Sequence, residues 1–263
     1  MKRYTISFVG AGRVAGVLCM ELFLQGYHIE KIVSRSKQMG KALACKCGAA
    51  WSNIADFSEN TDIIFVAVSD SNIREVLEQL QCGKETIVAH TAASFGLDIF
   101  PEKIKRMAVF YPLQTFSHDR KIDFNELPIF IESSDEAVLT VMTDVADSIG
   151  AKTFFTDTQS RILLHLAAVF VCNFTNHLLA RGKEIAEKSG FSFEELKPLI
   201  AETISKAFDN APEESQTGPA ERNDKITISK HLEMLSFDNN LERIYNDIST
   251  SIIDYHNKLK SND

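Results

Sequence analysis

Several familiar signals are missing from this 263-residue chain. It has no uninterrupted run of about 18 apolar residues, so no transmembrane helix and no membrane partner are expected. Its five cysteines, Cys19, Cys45, Cys47, Cys82 and Cys172, are odd in number, and Cys45-x-Cys47 has no second pair at metal-site spacing. Neither a disulfide framework nor a metal site is therefore expected. Basic residues form no stripe and are outnumbered, 28 against 36 acidic, for a net charge of −8. That balance speaks against nucleic acid as a partner. The first residues lack a signal-peptide pattern, which points to the cytoplasm. Repeats, low-complexity tracts and flexible linkers are absent too. With 44% hydrophobic and 24% charged residues, the composition is that of a globular protein with one large domain or two modest ones.

What is present begins at once. Tyr4 to Val9 reads as a buried strand that stops at Gly10, and helical periodicity starts at Val14 and continues through Val17, Leu18, Glu21 and Leu22. Between them lies Gly10-Ala11-Gly12-Arg13-Val14-Ala15, a G-x-G-x-x-A turn. Gly10 is suited to a positive φ, Gly12 to the close approach of backbone amides to a diphosphate, and Ala15 or Gly16 to tight packing of helix on strand. An anion would rest on the helix N-terminus, where free N–H groups and the helix dipole favour it. A glycine turn between packed elements with no ligand is the plainer alternative. The second strand, His28 to Val33, ends without the acidic residue that would accept hydrogen bonds from the ribose of NAD. It runs instead into Ser34-Arg35-Ser36, whose hydroxyls and guanidinium suit a 2′-phosphate, so NADP is expected in preference to NAD. A solvated Arg35 beside a Ser helix cap is the competing account.

Strand and helix alternate up to about Phe155, which predicts a parallel sheet covered on both faces, with the strand ends converging at one edge. Val68-Ser69, His90-Thr91 and Gln114 all follow strands and should border the ligand there. Beyond Thr158 only helices are expected: 159–188, 193–210, 225–235 and 240–260. The predicted domains are thus 1–157 and 158–263. The first of these helices is apolar nearly all round from Ile162 to Phe174, and a partner subunit is its natural cover, which predicts a homodimer. His165, Asn173 and Asn176 are the polar residues within it. His165 is the candidate proton donor or acceptor and Asn173 the candidate for orienting a substrate carbonyl, with a core histidine and a helix-tying amide as the plainer readings. Eight residues of helix separate His165 and Asn173 by about 12 Å. Gly218-Pro219 makes a turn, Asp224 suits a helix N-cap, and Arg222 is left as a candidate for an anionic substrate group.

These motifs together resemble one group. Gly10 to Ala15, Ser34-Arg35-Ser36, Tyr111-Pro112-Leu113-Gln114-Thr115-Phe116, His165 leading to Asn173-Phe174, and Thr217-Gly218-Pro219 with Arg222 and Asp224 are similar to Rossmann-like candidate NADP oxidoreductases with a C-terminal helical domain of unknown function. That group is similar in architecture to pyrroline-carboxylate reductases, deazaflavin-dependent NADP reductases and 3-hydroxyacid dehydrogenases. The resemblance implies a doubly wound α/β domain for NADP, a smaller all-α dimerisation domain and a substrate site in the cleft between them. One departure stands out: the hydroxyacid dehydrogenases carry Lys one turn before a catalytic Asn, whereas Val169 precedes Asn173 and Cys172 precedes Asn176. The expected activity is hydride transfer between the nicotinamide and a small C=O or C=N compound. A non-catalytic NADP-binding sensor or interaction protein is the alternative.

Overall fold

The computed structural model describes residues 3–117, 122–125 and 127–262. They form two compact units, 1–172 and 173–263.

The first unit is built on an eight-stranded sheet in the order β3-β2-β1-β4-β5-β6-β7-β8. Its strands are β1 (Thr5–Val9), β2 (His28–Val33), β3 (Ala50–Ser52), β4 (Ile63–Val66), β5 (Ile87–His90), β6 (Met107–Pro112), β7 (Pro128–Ser133) and β8 (Lys152–Phe155). Strands β1 to β6 pair in parallel. Their order reverses direction between β1 and β4, and a doubly wound sheet binds ligands beyond the carboxyl ends at that point.

Alternation along each strand divides the core between the two faces. Ile6 and Phe8 of β1 join the cluster under α1 (Arg13–Leu24), α2 (Lys37–Cys47) and α4 (Glu136–Ser148). Val9 belongs to the opposite cluster with Ile73 and Leu77 of α3 (Asp70–Gln79). Phe8 stacks on Phe65, and Phe65 meets Phe110 edge-on, with centroids 5.3 and 5.2 Å apart.

The expectation that every strand end converges on one edge needs correction. β7 pairs antiparallel to β6, and β8 runs parallel to β7. An apolar run specifies burial but not direction, so the reversal was invisible in the residues. Its effect is positional. The helix after β8, α5 (Thr158–Ala168), starts beside Glu132, which is in register with Val109, and travels back to Tyr111 at the carboxyl end of β6. The first unit therefore takes in the opening turns of a helix expected to belong wholly to the second.

The helix runs on from Thr158 to Lys188, through six π-helical residues at Val169–Phe174 and α6 (Thr175–Lys188). With a mean hydropathy of 1.6 over its most apolar 18 residues, it is long and apolar enough by composition to cross a membrane, although scattered polar residues leave it without an unbroken apolar run. Arg161 near its start is buried, but Ile162, Leu163 and Leu166 around it are exposed, so the apolar surface of this helix is largely uncovered within the described residues. The second unit continues with a 3-10 turn at Phe193–Leu196 and with α7 (Lys197–Asp209), α8 (Lys225–Met234) and α9 (Asn239–Asn262). As its sequence suggested, Asp224 caps α8, accepting from the Thr227 amide at 3.1 Å.

Candidate functional site

The glycine turn leaves the start of α1 open. Gly10 takes φ +117°, and a Cβ there would lie 2.1 Å from the Ala67 carbonyl oxygen. Gly12 is different: a Cβ at Gly12 would meet nothing within 4 Å, so the space above the start of α1 is open. No side chain caps that terminus. Its first amides face outward without intrahelical partners, a combination that fits an anion. Ala15 is fully buried and provides the close packing, whereas Gly16 faces a shallow groove beside α1 and α2.

A cavity of about 650 Å³ extends from this turn. Gly10, Ala11 and Gly12 form one wall, Ser34, Arg35 and Ser36 another, and Val68, Ser69 and Asn72 a third, with Asn53 and Ile54 at the far end. Arg13 and Val14 stand at the opening of α1, Arg13 exposed and Val14 half-buried. The two serines flanking Arg35 have structural duties. Ser34 is buried, donates to the Ser36 carbonyl at 2.9 Å and accepts from the indole of Trp51 at 3.1 Å. Ser36 caps α2 by accepting from the Met39 amide at 3.3 Å. The Arg35 guanidinium remains as the charged donor of this wall, and it donates to Asn72 Oδ1 at 3.1 Å.

His90 lies fully inside the protein rather than on a cavity wall. Its Nδ1 accepts from the Ala92 amide at 3.3 Å, its Nε2 donates to the Gly96 carbonyl at 3.4 Å, and its ring stacks on Phe100. Burial pushes its pKa down to about 4, with Arg161 adding to the effect and the Gly96 bond opposing it. His90 thus shapes the loop after β5, while Thr91 donates its amide to the Val66 carbonyl at 3.2 Å. The unfolded chain binds this proton near pH 6.5 and the folded chain near 4, so folding becomes less favourable as pH falls between those values. The loss is roughly 3 kcal/mol. Melting curves of wild type and His90→Gln should converge over this interval, and parallel pH profiles would refute this.

The same loop is fastened to α5. Arg161 is fully buried; its Nε donates to the Ala93 carbonyl at 3.3 Å, its Nη2 to the Phe95 carbonyl at 2.5 Å, and its Nη1 pairs with Glu132 at 2.5 Å. Thr158 donates to the same carboxylate at 2.9 Å, and its hydroxyl lies so close to Gly96 that a Cβ there would clash. One turn beyond Arg161, His165 Nδ1 is 2.9 Å from the Tyr111 hydroxyl, and the two rings meet edge-on. Tyr111 is half-buried, and burial raises its phenol above the ordinary value. Gln114, three residues on, is exposed and folds its side-chain oxygen back onto the Thr115 amide at 2.8 Å. Asn173 and Arg222 belong to the second unit. Asn173 lies in the π-helical stretch, a geometry frequent at functional sites, and Arg222 is exposed in the turn before α8.

The structure therefore gathers Gly10, Ala11, Gly12, Ser34, Arg35, Ser36, Val68 and Ser69 around one cavity. Three residues had been given no role from the sequence: Tyr111, although it opens the Tyr111-to-Phe116 motif, Asn72 and Arg161. A polar aromatic ending an apolar strand was the available sign for Tyr111, and an arginine entering an apolar helix that for Arg161. Asn72 carried none.

Comparison with known proteins gives the chain a family. Residues 5–94 match the family described as NADP oxidoreductase, coenzyme F420-dependent, and residues 127–252 match a domain of unknown function, DUF2520. A candidate NADP oxidoreductase of Bacteroides fragilis is 34% identical, with TM-score 0.87 over 96% of this chain and 98% of that one. At fold level the chain is similar to an imine reductase from Myxococcus stipitatus in complex with NADP+ (16% identity, TM-score 0.63, 98% and 94% of the two chains). It is likewise similar to a pyrroline-5-carboxylate reductase from Coxiella burnetii (15%, TM-score 0.56, 98% and 99%). No curated protein matches in sequence. The chain belongs to a family of NADP oxidoreductases in which the domain matched at 5–94 is followed by the domain of unknown function matched at 127–252.

Proposed function

We propose that the protein is an NADP-dependent enzyme interconverting a small C=O or C=N compound and its reduced form, with Tyr111 and His165 handling the proton. NADPH, when bound, supplies the hydride. The observation that carries the reading is the 2.9 Å contact between Tyr111 and His165 at the carboxyl end of β6, on the same sheet edge as the glycine turn. Burial raises the Tyr111 phenol above its ordinary value, so it is protonated at neutral pH and has a proton to give. Its Oη would donate to the substrate oxygen or nitrogen while His165 Nδ1 holds it in place and returns the proton. The backbone of Gly10 to Val14 would hold the diphosphate, and Arg35 the 2′-phosphate. Gln114 and Asn173 are assigned to polar substrate groups and Arg222 to an anionic one.

The test is NADPH oxidation against a panel of aldehydes, ketones and cyclic imines. Tyr111→Phe and His165→Ala should each lower kcat by about 100-fold, with the NADP Kd unchanged. Turnover unaffected by both substitutions overturns the assignment. NADP binding with no turnover on any compound favours a sensor, the reading that the Val169–Asn173 arrangement supports.

We further propose that the helical unit pairs with a second copy. It exposes Phe208 (85%), Met234 (74%), Ile226 (72%) and Leu199 (65%), more large apolar surface than a lone unit ordinarily carries. Light scattering should report twice the 29.4 kDa chain mass, and Phe208→Glu should shift it toward one. A wild-type monomer at micromolar concentration is the contrary result.

A further inference from the structure

We propose that Asn72 is a positioning residue that presents the Arg35 guanidinium to the 2′-phosphate and so sets the preference for NADP over NAD. The proposal rests on the reading of this cavity as the NADP site. Arg35 projects from the loop after β2 and is exposed, and a free arginine there would sample many rotamers. Its Nη1 instead donates to Asn72 Oδ1 at 3.1 Å, joining the end of β2 to the first turn of α3 across the cavity.

Asn72 is itself fixed. Its Nδ2 donates to the Ser69 and Ser71 hydroxyls, and its backbone amide to the Ser69 carbonyl at 2.8 Å. With the amide nitrogen so engaged, the oxygen is the atom left to face Arg35. The chemistry of that oxygen matters. An amide accepts the hydrogen bond without cancelling the positive charge, so Nε and Nη2 keep both their donors and their field for a phosphate. A carboxylate in the same place would neutralise the guanidinium and repel the ligand. Glu75, one turn along α3, lines the same cavity, yet among the described residues Arg35 forms no ion pair.

The test is calorimetric titration of NADP+ and NAD+ into the full-length wild type, Asn72→Ala, Asn72→Asp and Arg35→Ala. Arg35→Ala should weaken NADP+ by about 100-fold, the upper end of a charge-assisted contact. Asn72→Ala keeps the charge but frees it, and should weaken NADP+ by roughly fivefold to tenfold with NAD+ altered by less than about twofold. Asn72→Asp should match or exceed Arg35→Ala. Melting temperatures without nucleotide report whether the fold survives, and the NADP+ to NAD+ ratio is insensitive to a general loosening of the cavity. An unchanged ratio in both Asn72 variants, or equal losses for both nucleotides, overturns the proposal while leaving the NADP reading standing. A wild type that binds neither nucleotide overturns the NADP reading and this proposal with it.

Discussion

Arg161→Leu is expected to lower the melting temperature by roughly 10 °C. The substitution leaves the Glu132 carboxylate without its counter-charge and the Ala93 and Phe95 carbonyls without their donors. Removing one member of a buried pair costs about 3–5 kcal/mol, because an uncompensated charge stays behind. For a protein of this size each kcal/mol shifts the midpoint by about 2–4 °C. The pair itself need not be favourable against an apolar alternative, so Arg161→Leu combined with Glu132→Leu should recover part of the loss. A double-mutant cycle by calorimetry measures the coupling. A single substitution that costs less than about 1 kcal/mol would show that the Arg161 anchorage is dispensable. The damage should spread to function too, since the tethered loop follows β5 at the carboxyl edge of the parallel strands.

Gly10→Ala and Gly12→Ala are expected to fail in different ways. At Gly10 the new Cβ would sit 2.1 Å from one backbone atom of Ala67 and 2.8 Å from another, at a φ that alanine avoids. Neither side can yield cheaply: Gly10 donates its amide to the Val33 carbonyl at 2.8 Å, and Ala67 donates to the Val9 carbonyl at 2.8 Å. Loss of more than about 2 kcal/mol of stability is anticipated, together with loss of NADP binding. At Gly12 the added methyl enters open space, so the melting temperature should hold within about 2 °C. On the proposed reading of this turn the methyl would stand in the approach of the diphosphate, however, and NADP affinity should fall by about tenfold or more. Parallel thermal melts and titrations check both. A stable Gly10→Ala, or a Gly12→Ala that binds NADP normally, would contradict the described turn.

The sequence carried the elements well because their ends are chemically marked. Ser36, Asp135, Asp157 and Asp224 each accept the amide that a helix N-terminus leaves free, and the helices of 158–263 fall close to where their periodicity placed them. The glycine turn was legible for the same reason: a positive φ at Gly10 is a local demand met by a local residue. Contacts that span the chain were not. Tyr111 and His165 are 54 positions apart and Arg35 and Asn72 37, and no periodicity links them. The reversed direction of β7 and β8 was hidden likewise, since pairing partners, and not composition, decide which way a strand runs.

Trp51 is the chain's single tryptophan, and its indole is bonded to Ser34, a wall residue of the cavity proposed to take NADP. Intrinsic fluorescence excited at the indole band consequently arises from one place, beside the turn that bears Arg35. Quenching or energy transfer on adding reduced dinucleotide would give occupancy of that cavity directly, without an attached label, and Asn72 or Arg35 variants are readable by the same optical signal.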